Sequence, residues 1–321
     1  MYSQFSIIFR TVNKNLKQKL CRFVYLKGSK KIELISIKQY ASLMGIITLT
    51  TDFGTKDHFA GTVKGALLSE IVEAKIVDIS HNIAPFSILE AAYVIQNAFE
   101  SFPVGSIHII GVDSEISEEN KHIVVQLNDH YFICANNGIM SMICSEINPQ
   151  KIVEINIHDK ISTSFPVLDV FVKVAAHIAR GGTLEVIGKV ITEIKPIKNI
   201  VPIVKDEGNQ LIGNVIYIDH YGNVITNIKK RFFESVQKGR RFEISARNHK
   251  FKRIYNHYTD IVDFNIAAEL RNDEGQGLVV FNSSGYLEIA VYRSNLATVG
   301  SASTLLGLDM MDNISINFFK D

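Results

Sequence analysis

At 321 residues the chain has room for two domains, each with its own core. Its 46% hydrophobic and 21% charged residues, with a net charge of +1, describe a globular protein and give no reason to expect nucleic acid or an acidic partner. No apolar run approaches the ~18–20 residues of a membrane span, and three cysteines (Cys21, Cys134, Cys144) are too few and irregular for a disulfide framework or zinc site, so a soluble, cytoplasmic protein is expected.

Residues 1–43 hold nine Lys or Arg and one acid, Glu33, a local charge of +8 against −7 in the remainder. The stretch lacks the apolar core and small-residue cleavage site of a secretory signal. A basic tail that binds nucleic acid or anionic lipid is one reading. The preferred one is an upstream extension not native to the working protein, because Met44-Gly-Ile-Ile stands directly before the first strand.

From Met44 to about Lys195 strand-like runs alternate with helical patterns. Ile46–Thr50 runs into Thr51-Asp-Phe-Gly54. A strand ending in an acid and a Gly turn presents a carboxylate at the ligand-binding edge of a parallel sheet, or simply caps the next helix. Phe59–Ile71 follows with apolar residues at helical spacing, its Gly61 and Gly65 read as a close-packing pair. Then come strand Lys75–Ile79, helix Ile88–Phe99, and strands Ser106–Val112, His122–Leu127 and Tyr131–Cys134, the last two joined by a hairpin turn at Asn128-Asp129. Asn136-Asn137-Gly138 reads as a tight turn, Ile152–Ile157 as a strand and Val170–Ala179 as a helix. Such alternation predicts a mostly parallel sheet with helices on both faces.

Around Glu193–Asn209 the chain turns Lys-, Pro- and Gly-bearing, which marks a domain boundary. Beyond it short strands are expected at Leu211–Ile218, Asn223–Ile228, Arg241–Ser245, Gly277–Phe281 and Tyr286–Tyr292, at the spacing of a small antiparallel barrel or sandwich. The fold class is thus α/β, with an N-terminal α/β domain over 44–200 and a C-terminal antiparallel β-barrel domain over 208–321.

Four polar clusters follow strand-like runs: Thr51-Asp52-Phe53-Gly54, Gly111-Val-Asp113-Ser-Glu115, Ser162–Asp169 and Tyr217-Ile-Asp219-His-Tyr-Gly222-Asn223. Strand ends on one sheet edge make a natural pocket. Asp113 reads equally as a turn acid, Asp169 better as a first-turn helix acid, and the Asp219–Asn223 loop, taken alone, as a plain hairpin turn. His81 and His108 read as core or edge histidines, and His58, His177 and His220 have no partner at metal-ligand spacing. A P-loop, a Gly-x-Gly-x-x-Gly fingerprint, Cys-x-x-Cys and a Ser or Cys nucleophile motif are all missing, which argues against a nucleoside triphosphatase, a dehydrogenase and a serine-type hydrolase.

Taken in order, the clusters resemble the S-adenosylmethionine hydroxide adenosyltransferase family, which also contains the fluorinase and chlorinase. The pieces that match are Thr50-Thr-Asp-Phe-Gly54, Ile76-Val-Asp-Ile-Ser-His81, Ser87-Ile-Leu-Glu90, Tyr217-Ile-Asp-x-Tyr-Gly-Asn-Val224 and Tyr286-Leu-Glu-Ile-Ala290, across about Gly45 to Asn317. The resemblance implies a Rossmann-like first domain, a β-barrel second domain, and a homotrimer whose pockets lie between one subunit's first domain and its neighbour's second. S-adenosylmethionine would be the substrate, with no cofactor, metal, nucleic acid or membrane involved. Asp52 would take the ribose hydroxyls, a bidentate task suited to a carboxylate, with Phe53 and Phe86 beside the ligand. Asp219 and Asn223 would hold the methionine amino and carboxylate groups, with Ser283 near the same end.

The reaction so implied is displacement at C5′ of the ribose. A sulfonium already leaves well, so the protein must align a nucleophile and strip its water. Hydroxide-using members employ an Asp-Arg-His set. Asp113 matches the Asp, but Asn120 falls where the Arg is expected, with Lys121 adjacent. Phe165-Pro166-Val-Leu-Asp169 puts Pro where the His is expected, and His122 is the nearby imidazole. The turn after the Asp has become Ser114-Glu-Ile-Ser117. Hydrolysis of S-adenosylmethionine with Asp113 as the catalytic group is the expectation. The alternatives are a trimer that binds S-adenosylmethionine or adenosine with weakened catalysis, and adenosyl transfer to another nucleophile.

Overall fold

Six residues from Ile46 to Thr51 form β1, buried on both faces, as expected of a central strand whose sequence is a continuous apolar and β-branched run. A computed structural model describes residues 22–23, 34–35, 45–157, 163–197, 200–271 and 273–319. Within the basic leader it describes only Arg22–Phe23 paired antiparallel with Leu34–Ile35, so the two readings of that segment lie outside the described residues. The chain divides into two compact units, the first ending at Ile197 and the second starting at Lys198.

The first unit is built on a seven-stranded sheet of β1, β2 (Lys75–Ser80), β3 (Ile107–Gly111), β4 (His122–Leu127), β5 (His130–Ala135), β6 (Lys151–Ile155) and β7 (Gly188–Ile191), in the order β2-β1-β3-β5-β4-β6-β7. β1 lies parallel to β2 and β3, and β3 parallel to β5; the remaining pairs are antiparallel. The expected mostly parallel sheet is therefore a mixed one. Its direction reverses at Asn128-Asp129, whose φ values of 49° and 60° make the tight turn that folds β5 back along β4.

Helices α1 (Phe59–Glu70) and α4 (Val172–Ala179) bury Val63, Leu67, Val174 and Ile178 in one cluster with Ile47, Leu49 and Ile109. Helices α2 (Ile88–Ala98) and the short α3 (Ile139–Ile143) bury Ala91, Ile95, Met140 and Ile143 in another with Ile110, Val125 and Phe132. A π-helical turn, Val167–Phe171, precedes α4, so the helical backbone starts before the expected Val170. Gly61 and Gly65 are not a packing pair: both face outward on α1, and a Cβ on either would meet open space.

The second unit is an eight-stranded sheet, antiparallel throughout. Its strands are β8 (Ile203–Lys205), β9 (Gln210–Ile218), β10 (Val224–Lys229), β11 (Arg241–Ala246), β12 (His249–Phe251), β13 (Gly277–Phe281), β14 (Tyr286–Val291) and β15 (Asn313–Phe319). They run in the order β12-β11-β15-β9-β10-β14-β13, with β8 on β9. Helix α5 (Lys230–Gln237) adds Phe233 to a core of Leu211, Val215, Ile244, Leu287 and Ile316. The architecture is a mixed α/β one with two sheets.

Candidate active site

The parallel strands β1, β2, β3 and β5 all end on one edge of the first sheet, where their loops carry the first two polar clusters, Thr51–Gly54 and Gly111–Glu115. The amide of Asp52 donates to the Gly111 carbonyl (3.4 Å) and the Gly54 amide to the His81 carbonyl (2.7 Å), which ties the first loop to those after β3 and β2. Asp52 Oδ2 accepts the backbone N–H of Phe86 at 2.9 Å. Phe86 stands at φ 63° and is 70% exposed, an apolar residue held beside a carboxylate on a backbone conformation that non-glycine residues seldom adopt. The Phe53 ring turns inward instead, 5.4 Å from Phe165 and 6.0 Å from Phe59. Gly111 makes room for it, since a Cβ there would lie 3.1 Å from the Phe53 ring.

Behind Asp52 runs a chain of charged and polar groups. Lys64 Nζ lies 2.5 Å from Asp78 Oδ2, Asp78 Oδ1 is 3.1 Å from His81 Nε2, and His81 Nδ1 is 2.7 Å from Thr51 Oγ1. The Asp78–His81 contact is an ion-pair distance without good hydrogen-bond alignment. Burial pushes the Asp78 carboxyl up, but Lys64 and His81 together outweigh it and hold it below the usual range. His81 is indeed a buried edge histidine; its reach to the Asp52 loop is what spacing did not reveal.

Asp113 follows β3 at φ 45°, half-buried. Asn137 Nδ2 donates to the carbonyls of Val112 (3.2 Å) and Asp113 (3.1 Å). The next loop, Ser114–Lys121, closes on itself through Ser117 N to Asn120 O (3.2 Å) and Asn120 N to Ser117 Oγ (3.0 Å). His122 opens β4, fully buried, with Nε2 2.9 Å from the Ser114 carbonyl and its ring edge-on to Phe171. The imidazole thus braces the Asp113 loop from below. Asn120 receives the ammonium of Lys195 on its Oδ1 at 2.8 Å. Asp169 accepts the Thr163 hydroxyl in the first turn of the π-helix, in keeping with a helix-start acid.

In the second unit the β9–β10 turn is locked by Asp219. Its Oδ1 accepts the amides of Tyr221 (2.9 Å) and Asn223 (2.8 Å), and its Oδ2 accepts Asn223 Nδ2 (3.0 Å). Gly222 (φ 74°) packs so closely on Ser301 that a Cβ would come within 2.3 Å of its hydroxyl. Asn223 is 6% exposed, and its Oδ1 is a buried acceptor without a hydrogen-bond partner. Such an oxygen is costly unless a donor arrives. Nearby on β14, buried Glu288 accepts the Tyr258 hydroxyl at 2.7 Å. Burial raises its carboxyl above the usual range and the charge of Asp219 adds to the rise, against hydrogen bonds from Tyr258 and Asn282.

Ser283 sits exposed in the β13–β14 turn, at the other end of the β10–β14 ladder from the Asp219–Asn223 turn and beside Asn282, which hydrogen-bonds Glu288. Among the described residues no cluster of three His, Cys, Asp or Glu could hold a metal, and no helix is long and apolar enough to cross a membrane. The sequence assigns no site role to Asn137, Lys195 or Glu288, although Glu288 lies within the matching Tyr286–Ala290 piece and Asn137 within the Asn136-Asn137-Gly138 turn, where side chains of that type bond to nearby backbone.

The chain belongs to the SAM hydroxide adenosyltransferase family: residues 47–188 match its N-terminal domain and residues 213–315 its C-terminal domain. A Methanocaldococcus jannaschii protein named (R)-S-adenosyl-L-methionine hydrolase is 31% identical over 285 residues, spanning 85% of this chain and 96% of its own. A fluorinase from Actinopolyspora mzabensis is 23% identical, spanning 78% and 92%. The crystal structure of an uncharacterized conserved protein from Thermotoga maritima shares 30% identity and a TM-score of 0.72, over 85% of this chain and 100% of that one.

Proposed function

We propose that this chain hydrolyses S-adenosylmethionine to adenosine and methionine. The observation that carries the reading is the 31% identity to the Methanocaldococcus jannaschii hydrolase over nearly all of that protein, against 23% to the fluorinase. The oxygen of water attacks C5′ as the C–S bond breaks; sulfur keeps the electron pair and leaves as the neutral thioether of methionine, and the water proton passes to Asp113 or solvent. No general acid is required. Asp113, on a half-buried turn, orients the water, and most of the acceleration comes from alignment and exclusion of bulk solvent. Asp52 takes the ribose hydroxyls, Phe86 supplies an apolar wall, and Phe53 backs the loop from the core. The Asn223 Oδ1, a buried acceptor awaiting a donor, and Asp219 take the methionine ammonium.

The same reading makes the working form a cytoplasmic homotrimer without a cofactor, its Rossmann-like domain at 44–200 and β-barrel domain at 208–321, with sites between subunits. Light scattering of the purified chain tests the trimer. Chromatography of S-adenosylmethionine incubated with the full chain, with Asp52→Ala as the control, tests the activity. Adenosine and methionine are expected in equal amounts, absent from the control. Intact ligand co-eluting with protein would overturn hydrolysis in favour of a binding protein, the reading that Asn120 and Pro166 at the expected Arg and His positions would favour.

A further inference from the structure

We infer that Lys195 is a positioning residue for the loop that carries Asp113, an inference that rests on the hydrolase reading above. The loop needs outside support. Between Asp113 and Lys121 it carries Glu115, Glu118 and Glu119 as well as Asp113, against the single cation Lys121. Glu115 to Glu119 are all exposed. Four carboxylates on one short loop repel, and its own closure is the single Ser117–Asn120 pair.

The brace comes from two separate segments. The Asn136-Asn137 dipeptide after β5 grips both ends of the loop: Asn137 Nδ2 holds the Asp113 carbonyl at 3.1 Å, and the Asn136 amide donates to the Lys121 carbonyl at 2.6 Å. The same dipeptide anchors Lys195, whose backbone N–H donates to Asn136 Oδ1 at 2.8 Å. From that anchor its ammonium reaches the far tip, 2.8 Å from Asn120 Oδ1 and 3.4 Å from the Glu119 carbonyl oxygen. Ile197 N, donating to Ser141 Oγ at 3.1 Å, pins the segment on its other side. Lys195 is half-buried, so its contact with a chain segment 75 residues away is better shielded than an exposed surface pair.

A cation here serves two ends. It offsets the carboxylate excess of the loop, and by fixing Asn120 it fixes the turn whose first residue is Ser117, downstream of Asp113. The consequence falls on alignment rather than on substrate affinity, because Lys195 contacts the loop of the nucleophile side and none of Asp52, Phe86, Asp219 or Asn223 is among its partners.

The test is steady-state kinetics of S-adenosylmethionine hydrolysis by the full chain as wild type, Lys195→Met and Lys195→Arg, with Lys195→Gln replacing the Met variant should that fail to fold. Thermal unfolding is followed in parallel. Removing the cation is expected to lower kcat on the order of 10- to 100-fold while KM stays within about twofold, since misplacement by about an ångström costs on that scale. The Arg variant, which keeps the charge, is expected to recover most of kcat. Unchanged kcat in Lys195→Met overturns the inference. So does a rise in KM alone, or an equal loss in Met and Arg variants, which would mark a merely structural side chain. A wild-type chain without turnover would sink the hydrolase reading and this inference with it, whereas wild-type turnover that survives Lys195→Met sinks the role of Lys195 alone.

Discussion

A φ of 45° at Asp113 is a conformation that Asp and Asn accept more readily than other side chains, because a short polar group bonds locally to the backbone. That preference separates two effects a single substitution would confuse. Asp113→Asn keeps the backbone geometry and removes the carboxylate, so it is expected to leave the unfolding midpoint within about 2 °C while kcat falls by roughly 10²-fold or more. Asp113→Ala removes the carboxylate and also strains the turn, so its midpoint should fall below that of the Asn variant by an amount equivalent to about 1 kcal/mol. Kinetics and thermal unfolding of the pair check both statements. Equal turnover of wild type and Asp113→Asn would take Asp113 out of the mechanism.

At the scale of elements, the ends of β1 and β2 are linked by His81, which reaches from Asp78 to Thr51 one residue before Asp52. Losing the Thr51–His81 bond loosens the loop that carries Asp52, the carboxylate proposed above to take the ribose hydroxyls. His81→Ala is therefore expected to weaken adenosine binding about fivefold, the worth of roughly 1 kcal/mol, with kcat affected less than KM. Calorimetric titration measures it, and unchanged affinity would leave His81 a core residue only. Much of this edge was legible in the sequence, because continuous apolar runs that end in Asp or Gly announce strands and the loops after them. Periodicity carries no strand direction, however, so the antiparallel half of the first sheet could be read only from the Asn128-Asp129 turn. The helix Ile139–Ile143 is too short to show a helical period. The contacts of Lys195 and Glu288 were illegible for a different reason: each is made to a partner remote in sequence, Asn120 or Tyr258, and no local pattern encodes such a contact.

For the molecule as a whole, the pH dependence of stability follows from a buried row in the first unit. Thr48 Oγ1 lies 2.7 Å from His108 Nδ1, and His108 Nε2 lies 3.1 Å from His130 Nδ1, with Phe99 and Phe132 packed around the rings. Burial drives His108 down to about 3, helped by the neighbouring His130, and burial lowers His130 as well, against a smaller pull from Glu100 and Asp129. Both imidazoles are held neutral in the folded chain and charge freely in the unfolded one. The unfolded state therefore binds more protons once the pH falls below the ordinary histidine value of ~6.5, and stability is complete above that value and drains away as the pH drops towards the folded one. At pH 5 the loss from His108 alone is about 2 kcal/mol. Asp78, held below the usual carboxylate range, loses its contribution only as the pH falls through the ordinary carboxylate value of ~4. Glu288 in the second unit, raised by burial, instead takes up its proton earlier in the folded chain than in the unfolded one and offsets part of the histidine loss. Urea unfolding followed by circular dichroism at pH 7.5 and pH 5 tests the expectation, a suitable probe for a chain with no tryptophan. His108→Phe, which suits the aromatic surroundings, is expected to lower stability at pH 7.5 by leaving Thr48 and His130 without a partner, yet to remove at least half of the difference between the two pH values. A wild type equally stable at both would mean that the row is open to water and protonates without unfolding.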